Sequence, residues 1–205
     1  MPNRPDNAYQ IASDSRLAQL SQQGDLDAYE QLVRRHQHRL VCFLKFYSAD
    51  RQLVEDVAQE AFLQCFLKID QFDRRRSFRT WLYTIARRFL PRLAVSRPAT
   101  IPLPDLPYST DNKSGPLEQA IRTEHRMSLW QTVRDITNGE EFQLIWFRYA
   151  DRLSMSEISG ILGQSTAACK MRLSRLRKRL RPNLEKFVES SDFQPSPPIT
   201  RTRAA

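Results

Sequence analysis

Apolar residues along the chain recur at steps of three and four and almost nowhere alternate, which predicts helices rather than a sheet. From Asp50 onward, Leu53, Val54, Val57, Ala58, Ala61, Phe62, Cys65, Phe66 and Ile69 fall on one stripe, with Asp50 placed as the N-cap. The stretch from Asp25 to Tyr47 behaves alike through Tyr29, Leu32, Val33, Leu40, Phe43 and Leu44, and Gly24 separates it from a short helix at about Arg16 to Gln22. A fourth helix opens after Ser77, turns Phe78, Trp81, Leu82, Ile85, Ala86 and Phe89 inward, and ends near Pro91. Four stripes of this width predict one compact bundle.

The second half reads as a helix from Pro116, a favoured first helical residue, to about Ile136, with Asn138-Gly139 as its stop. Glu141 to Ala150 places Phe142, Ile145, Trp146 and Tyr149 on one side. Ser154-Met-Ser-Glu157 then has the S-x-x-E form of a capping box, opening a helix that ends at Gly163. After the turn Gly163-Gln164-Ser165, the residues Cys169, Leu173, Leu176 and Leu180 mark the buried side of a last helix, Thr166 to Arg181, limited by Pro182. Two helices joined by a short glycine-containing turn predict a helix-turn-helix.

Between the halves, Pro91, Pro98, Pro102, Pro104, Pro107 and Pro116 fall within 26 residues, and no helix runs through such a stretch. The expected organisation is therefore all-α: a disordered N-terminus at 1–11, a helical domain at 12–95, a Pro-rich extended linker at 96–115, a second helical domain at 116–189 and a disordered tail at 190–205.

Charge narrows the function. The 205 residues carry 32 Lys and Arg against 23 Asp and Glu, a net charge of +9, and a basic chain of this kind most often meets nucleic acid. No apolar run reaches the roughly 18 to 20 residues that span a bilayer, and the N-terminus lacks a signal-peptide core, so a cytoplasmic protein is expected. The three Cys, at 42, 65 and 169, have no CxxC spacing; Cys65 and Cys169 lie on apolar stripes and read as buried thiols. His38 and Cys42 are one turn apart, but two ligands on one helix do not make a metal site. With no phosphate-cradling Gly loop, nucleophile elbow, HExxH or acid/base pair, neither an enzyme nor a bound cofactor or metal is expected.

Three groups of residues carry the chemistry. The last helix holds Lys170, Arg172, Arg175, Arg177, Lys178, Arg179 and Arg181 and no acid before Pro182. In a helix-turn-helix this second helix enters the major groove, so Thr166, Ala167, Lys170 and Met171 would face bases and the later cations would hold phosphates. A basic run alone also fits a solvated helix face, but the capping box, turn and buried stripe outweigh that reading. Arg74, Arg75 and Arg76 stand beside Phe72 and Phe78, followed by Arg79, Thr80, Tyr83, Thr84, Arg87 and Arg88 on the non-core side of the next helix, a mixture of cations and an aromatic that suits single-stranded nucleic acid. Tyr83 taken alone fits a bundle residue equally well. Glu55, Asp56, Gln59 and Glu60 form an acidic patch on an otherwise basic chain, as a protein-docking surface or a solubilising face would.

The order of these elements resembles a known family. DLDAYEQLVRRHQHRLVCFLKF, VEDVAQEAFLQCFLKIDQF and SFRTWLYTIARR resemble the second conserved region of bacterial sigma factors, and EEFQLIWFRYADRLSMSEISGILGQSTAACKMRLSRLRKRL resembles the fourth, in the two-domain extracytoplasmic-function (ECF) class of the sigma-70 family. The resemblance covers about 25 to 92 and 117 to 181. It implies a region 2 bundle and a region 4 helix-turn-helix, and a factor that binds core RNA polymerase and directs promoter recognition, melting and initiation. Asp56, Gln59 and Glu60 would dock on the polymerase clamp helices. Arg74, Arg75, Arg76, Arg79, Tyr83, Arg87 and Arg88 would capture the unpaired minus-10 strand, with flipped bases held so that binding offsets unpairing. Ser165, Thr166, Ala168, Lys170, Met171, Arg172 and Arg175 would meet the minus-35 duplex, the linker would thread through the polymerase, and an anti-sigma factor is a further partner of this class.

The chain departs from the family's common pattern at Arg88 and Arg92, with Pro91 between them, where Asn and Asp are frequent, and at Ala167, Ala168 and Cys169, where Gly, Thr and Val are frequent. Ile136-Thr-Asn-Gly139 replaces a common Leu-Pro pair, a change that bears on a helix boundary. Two other readings stay open at this point: a helix-turn-helix regulator that binds duplex DNA alone, and a sigma-like competitor that binds polymerase or an anti-sigma factor without initiating.

Overall fold

A computed structural model describes residues 6–94 and 128–190; every regular element among them is helical. The linker expected at 96–115, the first part of the helix expected from Pro116, and the tail beyond Ser190 lie outside the described residues.

The first group comprises α1 (Asp6–Ile11), α2 (Asp14–Gln22), α3 (Leu26–Lys45), α4 (Arg51–Leu67), α5 (Phe78–Ala86) and α6 (Leu90–Ala94). Asp25 and Asp50 cap α3 and α4, each carboxylate accepting from a backbone N–H three residues on, as their positions before the apolar stripes require. Residues 6–11, expected as part of a disordered N-terminus, form α1; it is tied down by the Tyr9 hydroxyl donating to Asp25 Oδ2 at 3.0 Å and by Arg35 Nη2 donating to the Tyr9 carbonyl at 2.8 Å. Pro91 does not simply end the fourth helix. A 3-10 turn at Arg87–Phe89 follows α5 with the backbone still right-handed helical, and Pro91 sits in the first turn of α6, where a missing N–H costs no intrahelical bond.

The second group comprises α7 (described over 128–136), α8 (Gly139–Ile145), a π-helical turn at Trp146–Ala150, α9 (Met155–Leu162) and α10 (Thr166–Ser190). Asn138 does more than stop α7: its side chain accepts from Glu141 N while Glu141 accepts from Asn138 N, a capping box that starts α8 two residues before the expected opening. The capping box of Ser154 and Glu157 starts α9, and Gly163 ends it with φ at +66°. Pro182 does not limit the last helix, since α10 continues through it to Ser190. Leu184, partly buried, extends the stripe of Leu173, Leu176 and Leu180 against the apolar core, and that packing opposes the cost of one lost backbone bond.

The two groups share one continuous apolar core. Phe43, Phe46 and Tyr47 from α3 and its end, with Tyr83 from α5, pack against Phe142, Trp146 and Phe147; Tyr83 and Phe147 lie 4.8 Å apart between ring centres and Phe46 and Phe142 lie 4.6 Å apart. The end of α8 and the π turn make this seam: residues Phe142 to Phe147 are all buried, and the π turn closes on the Asp151 N–H to Trp146 carbonyl bond at 3.1 Å.

Candidate nucleic-acid interface

The loop between α4 and α5 is shaped from both of its sides. Gln22, at the end of α2, donates through Nε2 to the carbonyls of Ile69 (2.9 Å) and Phe72 (3.0 Å), and Ser15 Oγ donates to the Arg74 carbonyl. Asp73 accepts from Arg75 N at 3.0 Å in an Asx turn that throws Arg74, Arg75 and Arg76 outward. The result is an open, polar cavity of about 770 Å³ lined by Gln22, Asp70, Phe72, Asp73, Arg74 and Arg75. Two carboxylates, two guanidiniums and an amide around a concave space offer both donors and acceptors to the edge of an unstacked base. Sequence reasoning found the arginines but missed Gln22 and Asp70; Gln22 sits about fifty residues upstream, and nothing in its local pattern distinguishes it from its neighbour Gln23.

Along α5 the expected face divides. Arg88 is exposed and Arg79 half-buried, but Tyr83 is only 1% exposed and its hydroxyl, turned toward Asp151, has no hydrogen-bond partner. Burial raises the Tyr83 pKa well above its ordinary value, and the Asp151 charge adds to it. Arg87 is held by Gln143 Oε1 at 2.6 Å and by the Ile161 carbonyl, so the outer face of α5 faces α9 and the π turn rather than solvent. Trp81, placed in the core by its spacing, is only half-buried, with its ring 5.0 Å from Phe72 at the wall of the loop cavity.

The helix-turn-helix presents a mixed surface. Ser165 accepts from Ala168 N at 3.1 Å and thereby starts α10, and Thr166 donates to Ser159 across the turn. Lys170, Met171 (59% exposed) and Arg175 point outward. Arg172 does not; it bridges Gln164 Oε1 and Glu140 Oε2, both at 2.9 Å. Arg179 pairs with Glu141 and Arg177 with the Tyr149 hydroxyl, so part of the basic run braces α8 and the π turn. Burial tends to raise the Glu141 pKa, but the bonds from Arg179 and Asn138 outweigh it and hold the group below the ordinary carboxylate range.

On α4, Asp56 and Gln59 are exposed and Glu60 is half-buried. Phe66, expected on the core stripe, lies at the surface, its ring 5.0 Å from Tyr29, between exposed Leu63 and Leu67 (64%). Acidic residues grading into an apolar cluster make a mixed patch of the kind protein partners cover. Cys42, Cys65 and Cys169 are all buried and outside any disulfide, and burial pushes Cys65 up to about 12. Among the described residues no helix is long and apolar enough to cross a membrane.

The family model for Sigma-70 region 2 matches residues 32–93, the span of α3 to α6 that carries the acidic patch, the loop cavity and α5. Over that span the chain is similar to Sigma-70 region 2. It is 28% identical over 171 residues to the ECF RNA polymerase sigma factor SigW of Bacillus subtilis, covering 78% of this chain and 91% of that one. It is 29% identical to the probable RNA polymerase sigma factor RfaY of Xanthomonas campestris pv. campestris over 78% of this chain, but spans only 41% of that relative's length. The solved structure of CnrH in complex with the cytosolic domain of CnrY has a TM-score of 0.63 at 23% identity, covering 84% of this chain and 97% of that one, a likeness of fold. The all-helical fold thus agrees with the sequence pattern.

Proposed function

We propose that this chain belongs to the ECF group of the sigma-70 family, binds core RNA polymerase and directs promoter recognition, melting and initiation, catalysing no reaction itself and acting in the cytoplasm. The observation that carries the reading is that one chain holds an open, polar cavity that admits a base beside three outward arginines and a helix-turn-helix whose second helix exposes Lys170, Met171 and Arg175. A duplex-binding regulator has no use for the first; the two together suit a factor that reads one DNA element unpaired and another as duplex. The domains would be 12–95 for polymerase and minus-10 contacts and 116–189 for minus-35 contacts.

In this reading Asp56, Gln59 and Glu60, with Leu63, Phe66 and Leu67, dock on polymerase. Arg74, Arg75, Arg76, Arg79 and Arg88 track the unpaired strand, with Tyr83 and Arg87 joining when α5 is uncovered, and a flipped base enters the cavity by Gln22. Ser165, Thr166, Ala168, Lys170, Met171, Arg172 and Arg175 lie along the duplex contact. An anti-sigma factor is the regulatory partner that the resemblance implies. The test is size-exclusion chromatography with core RNA polymerase at near-physiological salt, followed by transcription from a promoter library. Co-elution and discrete start sites are expected; separate elution of folded protein overturns the proposal.

A further inference from the structure

The basic run of α10 is not offered whole to DNA. Arg179 pairs with Glu141, Arg181 pairs with Glu185 at 2.7 Å, and Arg177 Nε donates to the Tyr149 hydroxyl at 2.6 Å. Among the described residues, Lys170, Arg175 and Lys178 are exposed and their side chains make no hydrogen bond or ion pair. Arg172 stands between these two sets. It lies about 60° around the helix from Arg175, at the edge of the exposed face. Its terminal nitrogens are divided between two elements: Nη1 donates to Gln164 Oε1 in the turn before α10, and Nη2 donates to Glu140 Oε2 on α8, both at 2.9 Å.

We propose that Glu140 is a specificity-determining residue for the duplex contact, withholding Arg172 from the DNA backbone and fixing it as a brace between α8, the turn and α10. The inference deepens the duplex reading of α10 given above and rests on it.

A cation that neutralises a phosphate adds affinity on every sequence alike, so each one withheld lowers non-specific binding. A guanidinium paired with a carboxylate must give up that partner to reach a phosphate, and its gain on DNA is smaller by that loss. The Glu140 side chain, 57% exposed, also repels a phosphate approaching the same edge of α10. Discrimination is then left to the open face, where Met171 and Arg175 approach base edges, and a larger share of the binding depends on sequence. The brace has a second effect. Gln164 precedes Ser165, which starts α10, so tying Gln164 to Arg172 holds the N-terminal turn of the helix that enters the groove.

Two features set this pair apart from an ordinary surface charge. An acid in the first turn of α8 suits the helix dipole wherever its side chain points, but Glu140 reaches a residue 32 positions away on another helix. Arg172 is 34% exposed and has acceptors on two elements, whereas in the Arg181–Glu185 pair the side chains are 77% and 56% exposed and one turn apart.

The test compares the full chain with Glu140→Ala, with Glu140→Gln, which keeps an acceptor for Arg172 but no charge, and with the double variant Glu140→Ala/Arg172→Gln. Fluorescence anisotropy over a range of salt concentrations reads binding to a labelled duplex of randomised sequence. The corresponding holoenzymes are titrated with that duplex and with one enriched by selection on the unaltered holoenzyme. Glu140→Ala is expected to bind the randomised duplex about threefold or more tightly at low salt, with a salt slope steeper by about one. Its preference for the enriched duplex is expected to fall about threefold or more, Glu140→Gln to change in the same direction by less, and the double variant to regain the original slope. Equal slopes and equal preference in folded Glu140 variants overturn the inference. A steeper slope that survives in the double variant also overturns it, assigning the effect to Arg87, on which the Glu140 charge acts as well, or to the lost charge alone. Absence of duplex binding by the unaltered holoenzyme overturns the duplex reading and this inference together, whereas equal slopes in a holoenzyme that does bind duplex overturn this inference alone.

Discussion

Arg39 on α3 and Asp151 at the end of the π turn, 112 residues apart in sequence, meet at 3.0 Å, and Trp146 Nε1 donates to the other Asp151 oxygen at 3.0 Å. Burial raises the Asp151 pKa; the charges of Arg39 and Arg79 and the bond from Trp146 oppose that rise without cancelling it. A raised folded pKa means the protonated form is favoured by folding, so the ionised group at neutral pH is a net burden that Arg39 relieves. Removing Arg39 leaves a buried charge with fewer partners, whereas Asp151→Asn removes the charge and keeps an acceptor for Trp146. Arg39→Gln is expected to destabilise the fold by about 1 to 3 kcal/mol, below the range for fully buried pairs because Arg39 is partly exposed, and Asp151→Asn by less. Urea unfolding of both variants at pH 7 checks the order; a larger loss for Asp151→Asn contradicts it.

Asp14 shows the opposite shift. The hydrogen bond from His36 Nε2 at 2.7 Å, with further help from Arg35, outweighs partial burial and lowers the Asp14 pKa from 3.8 to about 2. A depressed folded pKa contributes stability that is present above about pH 4 and lost as pH falls through about 2. Asp14→Asn is expected to flatten the acid limb of the stability profile in that window. Thermal melts between pH 2 and 5 read it, and an unchanged limb refutes the assignment.

Gly163 holds a left-handed φ of +66° at the end of α9, with open space around the position a Cβ would take. The cost of Gly163→Ala is therefore conformational rather than steric and is expected to be about 1 to 2 kcal/mol. Denaturant unfolding checks it, and the turn between α9 and α10 would tilt enough to weaken duplex binding as well.

If Arg175 reads a base, Arg175→Ala lowers affinity for the upstream duplex by about 1 to 3 kcal/mol at that position alone. If it holds a phosphate, the loss is independent of sequence and the salt slope falls by about one. Anisotropy titrations of holoenzyme on duplexes at several salt concentrations separate these, and unchanged affinity removes Arg175 from the interface.

Charge reversal at Asp56 with Leu67→Ala is expected to reduce core polymerase binding about tenfold or more while leaving circular dichroism unchanged, since both side chains are exposed. Undiminished co-elution removes the α4 patch from the polymerase contact.

The sequence by itself determined the elements that depend on near neighbours. Helix stripes, the caps at Asp50 and Ser154, the helix end at Gly163 and the buried face of Cys169, Leu173, Leu176 and Leu180 are all set by interactions within a few residues, so local spacing reveals them. Pro182 misled for the same reason: its local cost was legible, but the packing of partly buried Leu184 against the core that opposes it was not. Tertiary structure alone decided that Phe66 faces outward, that Gln22 shapes the loop after α4, and that Tyr83 and Arg87 are covered by α9 and the π turn. Those outcomes depend on which surfaces meet across long separations in the chain, and a helix's own periodicity fixes only which residues share a face, not what that face will touch.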